Sequence, residues 1–117
     1  MANPNLSNVS SILGNTAVVL AGATATTVVS NAAASGTVVK VEGLYCSNVD
    51  ATTTYNVTID LFRSSTAYNV ATNVSIPVGA TLDILSKSLY LLEGDTLRAT
   101  GSAANKISVV CSYEVMS

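Results

Sequence analysis

Catalysis at neutral pH most often draws on a histidine, and this 117-residue sequence has none. Without imidazole the commonest general base is missing, and with it the usual catalytic triads and most zinc sites. Carboxylates are the next candidates: Glu42, Asp50, Asp60, Asp83, Glu93, Asp95 and Glu114. Glycoside hydrolysis needs two of them flanking a sugar bond, and no spacing here identifies such a pair. The tightest grouping is Glu93-Gly94-Asp95. A calcium ion would want several more oxygen ligands, and no further acid stands nearby in sequence. A tight turn is the better account, with Gly94 supplying positive φ and Asp95 accepting local backbone N–H groups. The residues therefore point to no catalytic group, no metal site and no cofactor, and the chain reads as a non-enzyme.

Cys46 and Cys111 are the two thiols. Both lie in apolar, strand-like runs, where a reduced cysteine serves as a small core residue; a disulfide between them is the alternative. Their separation would suit an immunoglobulin inter-sheet bridge. However, the sequence has no Trp, and Tyr113 follows Cys111 where a tyrosine corner would precede it. The sequons at Asn8, Asn56 and Asn73 read as outward polar positions in a chain rich in Asn, Ser and Thr. Among the aromatics, Tyr45 and Tyr90 would suit a glycan-binding face if both rings were exposed. For Tyr90 the expected place is the core or a contact with a partner subunit.

The elements that position these groups are strands. Hydrophobic residues make up 49% of the chain and charged residues 10%, against roughly 25% charged in an average domain. A surface coated with Ser, Thr, Asn and Ala is weakly defended against association, which suits a protein packed against neighbours. The net charge is −2, and the basic residues Lys40, Arg63, Lys87, Arg98 and Lys106 are scattered. Nucleic-acid binding needs a clustered basic footprint and is not expected. No apolar run is long enough to span a bilayer, and the start lacks the basic region of a secretory signal. The chain is expected to be soluble, with export only by cell lysis or a signal outside it.

Strong helix formers are scarce and Val and Thr dominate. Tyr55, Val57, Ile59 and Leu61 alternate with polar residues, as do Tyr68, Val70, Thr72, Val74 and Ile76. Ile107, Val109, Cys111, Tyr113 and Val115 form a third stripe, and each predicts one face in and one face out. Further strands are expected over 16–21, 24–30, 37–46, 82–85, 89–92 and 96–100. Residues 63–67 form a hairpin connection, and Pro77 to Ala80 a break. The weaker period of 21–36 fits an edge or an irregular excursion. Eight to ten short strands without helices predict an antiparallel β-sandwich or barrel. It is read as a single domain over 9–117, preceded by an extended arm over 1–8.

Three stretches resemble small structural proteins of tailed-phage virions, of the myovirus type infecting marine bacteria. They are MANPNLSNVSSI, the segment from Ser47 to Leu85, and LEGDTLRATGSAANKISVVCSYEVMS at the end. The resemblance spans nearly the whole chain but is one of pattern rather than of catalytic motif. It implies a β-sandwich, jelly-roll or immunoglobulin-like, that decorates or connects parts of a virion assembled in the host cytoplasm. The implied role is a capsid decoration or cement protein, homo-oligomeric, whose partners are other virion proteins and above all the major capsid protein. A neck, tail or fibre-attachment component is the alternative within the virion, and a glycan- or receptor-binding module is the alternative outside it. The resemblance carries no catalytic, cofactor or metal residue, no nucleic acid and no membrane.

Overall fold

The computed structural model describes residues 11–85 and 87–117; the expected arm over 1–8 lies outside them. Among the described residues nine strands form: β1 Ile12–Leu20, β2 Thr26–Ser30, β3 Val38–Asn48, β4 Tyr55–Arg63, β5 Thr66–Ile76, β6 Thr81–Asp83, β7 Leu89–Leu91, β8 Thr96–Gly101 and β9 Ile107–Met116. All pairings are antiparallel. One sheet runs β1-β9-β3-β6 with β7 also on β3, and the other runs β2-β8-β4-β5. The chain is an all-β sandwich.

Its topology is more specific. β6 pairs with Tyr45 to Ser47 and β7 with Val39 to Val41, so the two act as one interrupted strand beside β3. The gap between them faces Glu42 to Leu44, where β3 carries a bulge against β9. Counting β6 and β7 together leaves eight strands in two sheets of four. Every connection crosses between sheets except the β4–β5 hairpin. That is the jelly-roll arrangement, which decides between the two topologies expected from sequence.

The stripes of β4 and β9 fall as the alternation predicts. Val57 and Ile59 are buried, and so are Ile107, Val109 and Cys111. They meet Val41, Leu44, Cys46, Leu91, Leu97 and Ala99 in one core between the sheets. Fully burying a Val, Leu or Ile side chain contributes roughly 1.5–3 kcal/mol, so this layer is the main source of stability.

Three expectations need correction. The stripe Tyr68, Val70, Thr72, Val74, Ile76 does not hold along β5. Two register shifts against β4 place Val74, Ala71 and Tyr68 opposite the inward Val57, Ile59 and Leu61. The spacing is thus three rather than two, because each bulge adds a residue, and Val70 and Tyr68 are exposed. The strand expected over 82–85 ends at Asp83; Ile84 still donates to the Leu44 carbonyl at 2.9 Å, while Leu85 turns into the core. Finally, β1 starts at Ile12 rather than Thr16, because it pairs with β9 over its whole length.

Candidate assembly surface

Polar residues close the two ends of the sandwich. At one end the buried Asn31 donates from Nδ2 to the carbonyls of Thr37 and Leu91, each at 3.0 Å, while its Oδ1 accepts from Ser35 and Thr37 hydroxyls. The Gly36 amide donates to Glu93. Gly94 has φ +87°, so Glu93-Gly94-Asp95 is a turn, as its composition predicts. Asp95 is fully buried and receives Arg63 through Nε and Nη2, together with the Leu92 amide. Burial opposes ionisation of Asp95, but the Arg63 guanidinium and the Leu92 N–H outweigh it and hold its carboxyl below the usual range. No group of three or more potential metal-binding side chains occurs among the described residues.

At the other end Asn48 plays the same part, donating to the carbonyls of Thr53 and Ile76 and accepting from Asp50 N–H. Asp50 in turn accepts from Lys106 and from the amides of Thr52 and Thr53. These bonds lower its pKa to about 2. Asn31 and Asn48 were not singled out in the sequence. In a chain this rich in Asn, nothing local distinguishes a buried amide that locks a loop from one in solvent.

Cys46 and Cys111 are free and buried in the core. Burial pushes the Cys46 thiol up to about 12, with Cys111 adding to the effect, and Cys111 up to about 11. They are inert core residues.

Four of the five basic side chains sit in ion pairs: Lys40–Glu42, Arg63–Asp95, Arg98–Asp60 and Lys106–Asp50. Arg98 also stacks on the Phe62 ring at 4.0 Å, covering Asp60 on the outer face of the second sheet. Basic charge available to a partner is thus largely neutralised within the chain. The outer face of the first sheet carries Val18, Val110 and Tyr45 in one cross-strand row. Tyr90 lies on the same face, paired with Lys40. Tyr45 and Tyr90 are both exposed, so the ring of Tyr90 is not in the core.

The sheet edges differ sharply. An edge strand offers unpaired N–H and C=O groups to another chain unless it is short, bulged, charged or covered. β2 has five residues and a bulge. β5 is long but carries two register shifts, with Asn73 at φ +47°. β6 and β7 have three residues each. Among the described residues β1 has none of these guards: nine residues, Ile-Leu-Gly-Asn-Thr-Ala-Val-Val-Leu, in one unbroken register with β9 and without a charge or a proline. It also exposes Ile12, Leu13, Val18 and Leu20, with Leu13 64% and Val18 71% accessible.

With this geometry in hand, comparison with known proteins adds one likeness. No protein-family model matches the chain, and no curated protein matches it in sequence. Among solved structures, a chain of the disulfide-linked pili formed by Bacillus endospore appendages is similar, with a TM-score of 0.52 and 18% identity. The match covers 91% of this chain and 88% of that one. At that identity the two share a fold.

Proposed function

We propose that this chain is a non-enzymatic structural subunit that works by packing into a multi-copy assembly. The observation that carries this reading is the open β1 edge, with its exposed Ile12, Leu13, Val18 and Leu20, on a surface whose charges are mostly paired internally. Such an edge is a hazard in a solitary protein and an asset in an assembling one. The resemblance read from sequence supports a virion shell, with the chain as a decoration or cement protein on the major capsid lattice. The fold likeness supports a second setting, an appendage subunit, since the similar chain belongs to a pilus. Both settings use many copies held by surface contacts, where avidity offsets weak single contacts.

Mass spectrometry of purified particles, with counting of copies per particle, tests the reading. We expect the chain in stoichiometric amounts in a sedimentable structure, at lattice-scale copy number if the shell assignment is right. A chain that is monomeric at high concentration and absent from every particle would overturn it. Tyr45 and Tyr90 keep a glycan-binding reading open to test, because both rings are exposed on one face. A Cβ built on Gly43 would meet the Tyr45 ring and hydroxyl at 3.3–3.5 Å, so that ring lies along its own sheet over Gly43. A glycan array separates the two readings, and a specific hit abolished by Tyr90→Ala would favour glycan binding.

A further inference from the structure

We infer that β1 pairs with β1 of a second copy, antiparallel and about a two-fold axis at Thr16, joining the two first sheets into one continuous sheet. The inference rests on the structural-subunit reading and names its partner. Three observations carry it.

First, β1 is the single unguarded edge among the described residues. Its nine residues keep one register with β9, whereas β2, β5 and the β6–β7 edge are each short, bulged or interrupted. An edge that can propagate a ladder needs an unbroken row of outward N–H and C=O groups, and β1 supplies the longest.

Second, the β1 sequence is complementary to itself. Pairing with β9 places Ile12, Gly14, Thr16, Val18 and Leu20 on the outer face and Leu13, Asn15, Ala17 and Val19 on the inner face. Centred on Thr16, antiparallel self-pairing sets Ile12 opposite Leu20, Gly14 opposite Val18 and Thr16 opposite Thr16. On the inner face Leu13 meets Val19 and Asn15 meets Ala17. Outer residues stay opposite outer residues, as the pleat demands. This register uses all nine positions, while a slip of two residues leaves Val19 and Leu20 of each copy, or Ile12 and Leu13, without a cross-strand partner.

Third, the partnering covers what is now exposed. Leu13 and Val18 are 64% and 71% accessible, and Ile12 and Leu20 are also exposed. In the self-pair each gains a neighbour across the new ladder, Ile12 and Leu13 an apolar one and Val18 the small Gly14. A two-fold contact of this kind is isologous and closes on itself. No charge in β1 opposes it, since like charges facing each other across the axis would be strongly unfavourable.

The test uses the full chain and two variants at the axis. Thr16 is exposed, so Thr16→Lys and Thr16→Glu should keep the β-sheet circular dichroism and the thermal midpoint of the monomer. Light scattering over a dilution series should give twice the chain mass of 11.9 kDa for the natural sequence. Each variant alone should dissociate, with Kd raised by about tenfold or more. Mixed in equal amounts they should form a heterodimer, because Lys and Glu then face each other across the axis. Several outcomes would overturn the inference. If the natural chain associates and Thr16→Lys is without effect, another surface holds the copies, and the structural-subunit reading survives. If both variants dissociate and mixing restores nothing, β1 meets a different strand. If the chain is monomeric until residues 2–10 are deleted, its own start occupies the edge. A chain monomeric under every condition removes the inference together with the reading beneath it.

Discussion

Buried against Arg63 and the Leu92 amide, Asp95 keeps its charge at the cost of tying three segments together, since Arg63 ends β4 and Leu92 follows β7. Asp50 does the same at the opposite end with Lys106 and two amides. Both carboxyls have a lower pKa folded than unfolded. The unfolded chain therefore takes up protons first as pH falls. The stabilisation is complete above the ordinary carboxylate value of 3.8 and is lost as pH falls toward about 2, the folded value of Asp50. With no histidine in the chain, stability should be nearly flat between about pH 5 and 8. Urea midpoints measured across pH 2–7 check this, and Asp50→Asn and Asp95→Asn should each flatten the acid limb. At neutral pH Asp95→Asn should cost about 2–3 kcal/mol, less than the roughly 3–5 kcal/mol of a fully buried pair because Arg63 keeps contact with water. A natural chain as stable at pH 2.5 as at pH 6 would contradict the assignment. At this scale the sequence was readable where local chemistry decides: Gly94 announces a turn whatever surrounds it. Asn31 and Asn48 were not readable, because their partners, among them the Leu91 and Ile76 carbonyls, come from distant segments.

Strands declared themselves by alternation where they lie inside a sheet and one neighbour keeps an unbroken register, β8 for β4 and β1 for β9. β4 and β9 are internal to their sheets, and their inward residues follow a strict period of two. β5 lies at an edge and accommodates bulges, so the residues it sets opposite the inward stripe of β4, Val74, Ala71 and the exposed Tyr68, fall at a spacing that no alternation template contains. The hairpin joining β4 to β5 shows a related compression. The expected connection over 63–67 shrinks to two residues, with Arg63 paired to Thr66 and Ser64 and Ser65 at φ +52° and +60°. Two positive φ values in a two-residue loop define a type I′ turn, whose twist matches the strands and which favours Asn-Gly. Serine in the left-handed region carries a cost of roughly 1–2 kcal/mol relative to a residue suited to it. Replacing Ser64 by Asn and Ser65 by Gly together should therefore stabilise the fold by about 1 kcal/mol, and raise the thermal midpoint by roughly 4 °C. Calorimetry of the double variant decides this, and an unchanged or lowered midpoint would show that the serines are not strained.

Whole-molecule properties depend on which strand lies beside which, and here sequence pattern stops short. Alternation and turn spacing suffice for a sandwich, but the jelly roll arises because β1 seeks β9 and β2 seeks β8, partners far apart in the chain. The same distant pairing buries both thiols: Cys111 lies opposite Leu44 and Cys46 opposite Val109, facing into the core. That separates this chain from the solved structure that shares its fold, described as a disulfide-linked pilus. A thiol between two sheets, with its pKa raised to about 11 or 12, cannot reach a thiol of another copy without opening the sandwich. Assemblies of these 117 residues should accordingly keep their mass in excess reductant. They should also change little between low salt and about 1 M sodium chloride, where the Debye length is roughly 3 Å, because the proposed contacts are apolar and backbone rather than ionic. Sulfate, which strengthens apolar burial, should favour assembly. Light scattering with and without dithiothreitol, alongside thiol labelling at pH 8, makes the comparison direct. Labelling should be negligible in the native chain and should reach both cysteines after unfolding. Rapid labelling of the native chain, or loss of mass on reduction, would mean that the core opens during assembly and that covalent links share in holding the copies together.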